Sequence, residues 1–486
     1  GSEAAWQCAR RGILVDLYEM RPVRNTPAHQ TSNFAELVCS NSLKSDSENT
    51  APWLLKEEMR RAGSLLLEIA REAQVPAGHA LAVDRDVFAR KVTEALKREP
   101  LIRIYREEIT RIDEAEEITV VATGPLTSDA LAAEIQRLSA EAGQPGTAAP
   151  REPARLFFYD SISPIVDADS IDMSRVYMAA RYDKGTADYI NCPFTKEEYD
   201  RFYDGLISAQ SVDSHDWENL NYFESCLPIE EIARRGRDTL RFGPMKPVGL
   251  RNPQTGQTPY AVVQLRQENL RADSYNIVGF QNHLKYGDQA RVLRLIPGLE
   301  NARFLRYGQI HRNTYINSPA LLTQTLQMRQ HPNVIFAGQI SGVEGYVESV
   351  ATGLIAGLTA AALAQIASAP KGPEARCHTG AAEAAPLPSE GDPQAGRDRG
   401  KRDSQAAPLQ SPPRATAFGS LIHYITRADP RNFQPANITF DLLPPWEQKI
   451  RDKKERHRLQ CERALRDFDE WLEQISTTET QNHRTF

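Results

Sequence analysis

The chain has 486 residues, of which 41% are hydrophobic and 25% charged. That length predicts two or three domains, and the composition excludes a fibrous or wholly disordered chain. With 58 basic residues against 64 acidic ones the formal net charge is −6, which excludes a globally basic nucleic-acid binder but not a local basic patch.

The sequence opens at Gly1, without a methionine. Small residues (Ala4, Ala5, Ala9) suit a helix packed close to a sheet, and Gly12 predicts its end. Residues 13–18 then read as an apolar strand, followed at once by Glu19. Helix, glycine, strand and terminal carboxylate form the second half of a dinucleotide-binding βαβ unit. The helix N-terminus of such a unit holds a pyrophosphate, and the acid accepts hydrogen bonds from a ribose. The first strand and first two glycines of the complete fingerprint are absent, so a chain truncated at its N-terminus is expected. The competing reading is an ordinary helix behind Gly1-Ser2.

Further along, residues 57–73 carry Met59, Ala62, Leu65, Leu66, Ile69 and Ala73 at helical spacing, which predicts one amphipathic helix. Residues 118–125 read as a buried strand ending at a turn with Gly124. A second strand and turn, 334–339, lead into a glycine-rich stretch and an Ala-rich helix. Two such turns far apart predict one sheet interrupted by an inserted domain. The apolar stretch at 350–366 is mostly small residues, broken by Thr352 and Thr359, so no membrane span is expected. Residues 369–416 are dense in Pro, Ala, Gly, Ser and charge and predict a disordered linker. A folded pattern resumes near 419, and 445–475 reads as a charged helix with Leu465, Phe468, Leu472 and Ile475 as its apolar stripe.

The six cysteines (Cys8, Cys39, Cys192, Cys226, Cys377 and Cys461) show no CxxC spacing, and nothing resembles a secretory signal. A reducing, cytoplasmic setting is expected, in which thiols can serve chemistry. The ten histidines lack metal-site spacing, so no metal is expected. Cys226 precedes Pro228 and a predicted helix starting near Ile229, a place where a thiol becomes a better nucleophile. Cys39 precedes the polar run Ser40-Asn41-Ser42, with Lys44 nearby. Cys192, before Pro193, is a rival, and local sequence does not separate the three. Cys8 reads as packing. Two stretches are basic: 281–315, where Lys285, Arg291, Arg294, Arg303, Arg306 and Arg312 alternate with aromatics, suits phosphate contact plus base or pterin stacking, and 449–458 suits RNA phosphates. Either also fits an ordinary solvated face.

Several segments together resemble one family. They are GSEAAWQ at 1–7, YEMRP at 18–22, ELVCSNSL at 36–43, NCP at 191–193, CLPIE at 226–230, GPMKPVGL at 243–250, residues 335–349, and FQPAN at 433–437. The chain is similar to the TrmFO (Gid) family of folate- and FAD-dependent tRNA uracil-5 methyltransferases.

The resemblance implies an α/β fold with an FAD-binding Rossmann-like domain of the glutathione-reductase type. That domain is expected at 1–125 and 330–368, with a smaller α/β domain inserted at 126–329. The linker at 369–416 and a C-terminal segment at 417–486 complete the expected order. FAD, 5,10-methylenetetrahydrofolate and NADPH or NADH are the implied cofactors, and the T-loop of tRNA is the implied partner. Cys226 is the implied nucleophile and Cys39 the assisting thiol, in roles that could be exchanged. Gly1, Glu19 and Arg21 are implied to face the adenosine and pyrophosphate half of FAD. Ala122, Thr123 and Gly124 form the implied second cofactor turn. Gly338, Gln339, Gly342, Val343, Gly345 and Tyr346 would run beside the ribityl chain and flavin.

The alternatives are a relative of the MnmG (GidA) flavoproteins that modify the tRNA wobble uridine, and a non-catalytic RNA-binding remnant. A generic FAD disulfide reductase is disfavoured by the missing cysteine pairs. The ELVCSNSL segment and ESCLPIE at 224–230 favour the uracil-5 methyltransferases.

Overall fold

The computed structural model describes residues 1–114, 117–140, 155–183, 186–212, 227–368, 409–446 and 450–484. Two hydrophobic cores organise them. One gathers residues from the N-terminal helix, the first strands, the Ala-rich helix and the C-terminal helices. The other lies between Val166 and Phe304.

The first core is built as the glycine pattern predicts. The helix Ser2–Ala9 ends as Gly12 and Ile13 turn their N–H groups back to Ala9 and Cys8. The strand Val15–Tyr18 follows and pairs in parallel with Ile102–Tyr105. A second parallel pair joins Thr119–Val121 to Val334–Phe336. The long helix Tyr346–Ser368 packs across the first helix. A Cβ on Gly357 would stand 2.6 Å from the Ala4 carbonyl oxygen and 2.9 Å from Ala4 Cα, so only glycine permits this crossing. By length and composition this helix could cross a membrane, but 61% of its most apolar window is buried inside the fold.

The run 57–73 is not one helix. It is Ala51–Arg61 followed by Leu65–Glu72. Gly63 takes φ +73°, and Ser64 caps the second helix. The Ser64 hydroxyl and the Leu66 N–H both donate to the buried Glu3 carboxylate, at 2.9 and 3.2 Å. Caps and a left-handed glycine override an unbroken apolar period. The C-terminal helix spans Lys453–Arg484, starting later than the charge pattern predicts. Proline removes a donor at 444 and 445, and the Asp452 side chain accepts from the Lys454 N–H.

The second core rests on a six-stranded antiparallel sheet running from Phe304–Arg306 through Ile165–Asp167, Ser274–Ile277, Ala261–Gln267 and Tyr189–Phe194 to Tyr177–Met178. The helix Lys196–Ile207 covers it, started by a capping box between Thr195 and Glu198. A separate antiparallel ladder pairs Arg155–Ile162 with Gln309–Ile316.

Candidate active site

The two dinucleotide turns meet. A Cβ on Gly1 would lie 3.8 Å from the Ala122 carbonyl oxygen and 3.9 Å from Leu17 Cδ1, so the first helix starts between the ends of both parallel pairs. First-turn N–H groups of a helix lack intrahelical partners and, with the dipole, favour an anion. Glu19 follows its strand directly and accepts from the Arg21 backbone N–H, Nε and Nη2, each at 3.0 Å. That occupies three of about four carboxylate lone-pair sites and leaves one for a ribose hydroxyl. Burial pushes Glu19 up, but the Arg21 bonds and charge outweigh it and hold the carboxyl below its usual range. Arg21 is itself buried and fixed by Thr31, Asn33 and Glu36.

In the second turn Thr123 Oγ1 lies 2.6 Å from Thr127 Oγ1. Gly124 has φ +68° and nothing within 4 Å of where a Cβ would stand. Gly338 has φ +75° and only Ser349 Cβ at 4.0 Å. Backbone left open at both turns fits close approach by a dinucleotide such as FAD. Gln339–Ser341 forms a short 3-10 helix ended by Gly342 in the left-handed region. Val343 is fully buried and bridges to Ala436, so its side chain belongs to the core.

The Cys39 segment docks on this glycine loop. Tyr346 Oη accepts the backbone N–H of Cys39 at 2.8 Å and of Ser40 at 3.4 Å. Arg85 donates to the carbonyls of Leu37 and Cys39, at 2.9 and 3.5 Å, and pairs with Glu268. From the second core, Arg266 donates to Ser40 Oγ at 2.8 Å and Asn41 Oδ1 at 2.9 Å. Asn41 Nδ2 returns a bond to the Gln267 carbonyl at 3.0 Å. The thiol loop is thus held by both cores. Burial pushes Glu268 up, while Arg85, Arg266 and Arg306 pull it back. Burial also lowers Arg266 and Arg306. This concentration of guanidinium groups favours an anionic guest.

Beneath the glycine loop, Lys44 sits at φ +62°. Its Nζ is 2.6 Å from the fully buried Glu348 carboxylate, and it also bonds Asn437 Oδ1. A Cβ on Gly345 would stand 2.7 Å from that Nζ. Asn437 Nδ2 donates to Glu344 at 2.7 Å. The sequence singled out neither Arg85, Arg266, Glu268 nor Glu348. Asn437 lay within the FQPAN segment and Lys44 beside Cys39, which was the available signal.

The remaining thiols separate by burial. Cys192 is fully buried in the strand Tyr189–Phe194, and desolvation drives its pKa far up. Cys8 donates to the Gly357 carbonyl at 3.3 Å and is pushed up to about 11 by burial. Cys461 is buried and pushed up to about 12. These are inert core thiols. Cys39 is half-buried in its polar loop. Cys226 and Cys377 lie outside the described residues. The helix expected after Cys226 is present as Ile229–Arg234, with Pro228 as N-cap. Glu230, near its start, is buried against His283 Nδ1 at 2.7 Å. In the basic stretch 281–315, Arg291 and Arg303 pair with Asp288 and Asp167. Tyr286, Phe304 and Tyr307 cluster with ring centroids 5.4 to 5.5 Å apart.

A family model described as glucose inhibited division protein A matches residues 1–368. The fold is similar to that of Aquifex aeolicus GidA in its form II crystal, with a TM-score of 0.54 and 16% identity. That match covers 75% of this chain, and the chain spans 62% of the length of that structure. Fold and site thus define an α/β protein of the glucose inhibited division protein A class. Three relatives carry the name methylenetetrahydrofolate--tRNA-(uracil-5-)-methyltransferase TrmFO. The protein of Koribacter versatilis (strain Ellin345) is 67% identical, covering 97% of this chain and 96% of the relative. That of Solibacter usitatus (strain Ellin6076) is 58% identical, covering 98% and 97%. That of Pelotomaculum thermopropionicum (strain DSM 13744 / JCM 10971 / SI) is 51% identical, covering 98% and 97%. The chain belongs to the TrmFO family.

Proposed function

We propose that this chain methylates C5 of the T-loop uridine of tRNA, position 54, using 5,10-methylenetetrahydrofolate as the carbon donor. The observation that supports this reading is the docking of the Cys39 segment on the glycine loop, where Tyr346 Oη accepts the Cys39 backbone N–H. Bound FAD, in reduced form, supplies the redox chemistry and carries the one-carbon unit. NADPH or NADH is the proposed reductant, and the cytoplasm the proposed location.

The protein's own residues are assigned as follows. Gly1, Glu19 and Arg21 hold the adenosine and pyrophosphate half of the cofactor, with Ala122, Thr123 and Gly124 opposite. Gly338, Gln339, Gly342, Gly345 and Tyr346 line its flavin half, and Val343 fixes the loop from below. The Cys226 thiolate adds to uracil C6, and the displaced electrons pass to the C4 oxygen, making C5 nucleophilic. Once C5 has bonded the incoming carbon, Cys39 removes the C5 proton. Loss of that proton lets the carbon part from its carrier as an exocyclic methylene. A hydride that the reduced cofactor would supply brings it to the methyl level, and the sulfur leaves with its electron pair as the ring C5–C6 double bond returns. Arg85, Arg266 and Arg306 set the electrostatics for the anionic ring. Residues 126–329 and 417–486 are proposed to meet tRNA around this site.

The test is methyl transfer to T-loop RNA by Cys226→Ala. The variant is expected to lose methylation while keeping flavin absorbance. Methylation at the wild-type rate would overturn the nucleophile assignment.

A further inference from the structure

One surface over the second core lies outside the site described above. It is built where residues 181–182 meet residues 248–249. The Tyr182 N–H donates to the Gly249 carbonyl at 2.6 Å, and Arg181 Nη1 donates to the Val248 carbonyl at 2.8 Å. Tyr182 takes φ +59° and Gly249 φ +84°. The left-handed region is open to glycine but costly for tyrosine, and such cost is usually kept for a purpose. A Cβ on Gly249 would stand 2.8 Å from Tyr182 ring carbons, so glycine lets the ring lie on the backbone. The ring is nevertheless 57% exposed, and Val248 beside it is 49% exposed. Phe242, at the start of the same loop, is 80% exposed. It is carried by a double turn in which the Gly243 and Met245 N–H groups both donate to the Leu240 carbonyl, at 3.2 and 2.8 Å. Met245 and Leu250 are buried and anchor the loop. Exposed apolar residues scattered singly are ordinary, but several around one braced loop mark a contact surface.

Charge indicates the partner. The chain is net negative, yet residues 234–251 carry Arg234, Arg235, Arg237, Arg241, Lys246 and Arg251 against Asp238 alone. Arg234, Arg237 and Arg241 pair with nearby carboxylates. Lys246 and Arg251 are exposed and have no ion-pair partner among the described residues. Free cations beside uncovered aromatic rings suit a polyanion that also carries flat bases, which is RNA.

This surface adjoins the candidate active site. Arg181 Nε donates to Gln264 Oε1 at 3.1 Å. Gln264 and Arg266 are two apart on the strand Ala261–Gln267, so they share one sheet face. Arg266 in turn holds Ser40 and Asn41 of the thiol loop. On the other side, a Cβ on Gly279 would stand 2.9 Å from Pro244 Cβ. Two residues on, the Gln281 carbonyl accepts the N–H of Ile229, which follows Cys226 by three positions.

We propose that this surface binds RNA flanking the reacting uridine, with Lys246 and Arg251 on phosphates and Phe242 and Tyr182 against bases. The proposal rests on the reading of the chain as a tRNA methyltransferase. Two variants are measured in the flavin-loaded full chain: Lys246→Ala with Arg251→Ala, and Phe242→Ala. Binding of tRNA is followed by fluorescence anisotropy across a salt series, beside the rate of flavin reduction by NADPH and the sedimentation of the protein alone.

The double variant is expected to weaken tRNA binding by about tenfold and to reduce the log–log salt slope by about two. Phe242→Ala should weaken binding by about tenfold with the slope unchanged, because a ring releases no counterion. Flavin absorbance, reduction rate and sedimentation should not move. Wild-type tRNA affinity in the double variant, or in Phe242→Ala, would overturn the proposal. So would altered sedimentation with unchanged tRNA affinity, which would assign the surface to a second copy of the chain. If Phe242→Ala fails to fold, the double variant at exposed positions decides alone. Wild-type protein that neither binds nor methylates tRNA would defeat the functional reading itself, and this proposal with it. Competent wild type with unaltered variants would defeat only this proposal.

Discussion

Glu58 is buried in the helix Ala51–Arg61, with its two carboxylate oxygens facing the N–H groups of Ala417 and Phe418. Desolvation dominates those bonds and pushes its pKa from 4.5 to about 8. The folded protein therefore binds this proton more tightly than the unfolded chain does. Its stabilising effect is present at low pH and is lost as pH rises from about 4.5 to about 8. Glu58→Gln should flatten stability across that window, at the cost of about 1 kcal/mol for one lost backbone bond at low pH. Urea midpoints measured across the window check this, and an unchanged pH slope in the variant would contradict it. Arg21 gives a second prediction. Its planar fork satisfies Glu19, Glu36 and two carbonyls together, which lysine cannot copy. Arg21→Lys should weaken FAD binding by about tenfold, read as flavin retained on dilution; undiminished retention would contradict the assignment. At this scale the sequence could name Glu19, because a carboxylate directly after a strand is a local feature. It could not rank Cys39 above Cys192, because burial depends on which strands cover a thiol.

The Ala-rich helix Tyr346–Ser368 crosses the first helix tightly at Gly357. Its tolerance is set by backbone atoms of Ala4, which cannot swing away as a side chain could. Gly357→Ala should destabilise the protein by about 1–3 kcal/mol and loosen the pyrophosphate end of the cofactor site. A urea titration with flavin fluorescence reads both effects, and wild-type behaviour would show that the helices can part freely. Strands and glycine turns were legible in sequence because each ends in its own punctuation, as at Gly12 and Gly124. The break at Ser64 was not, because its capping is completed by Glu3 from another helix. The start of the last helix was likewise misplaced by a charge pattern that ignores the two prolines before it.

The whole molecule holds one loop between two cores. Residues 37–41 take bonds from Arg85 and Tyr346 on one side and from Arg266 on the other. No residue in that loop reveals this arrangement locally. The Lys44–Glu348 pair is similarly invisible, since its partners are distant in sequence and meet only through the complete fold. The family segments marked the loop, Tyr346 and Glu348, but Arg85, Arg266 and Lys44 lie outside them. The central claim is that a cysteine sulfur bonds uracil C6 during methyl transfer. The direct measurement uses tRNA carrying 5-fluorouridine at the target position, where fluorine blocks release of the C5 substituent and traps any adduct. With methylenetetrahydrofolate and reductant present, the wild-type protein should give a protein–RNA band on a denaturing gel, and Cys226→Ala with Cys39→Ala should give none. A wild-type enzyme that methylates ordinary tRNA but never forms the band, or a double variant that still forms it, would contradict the account.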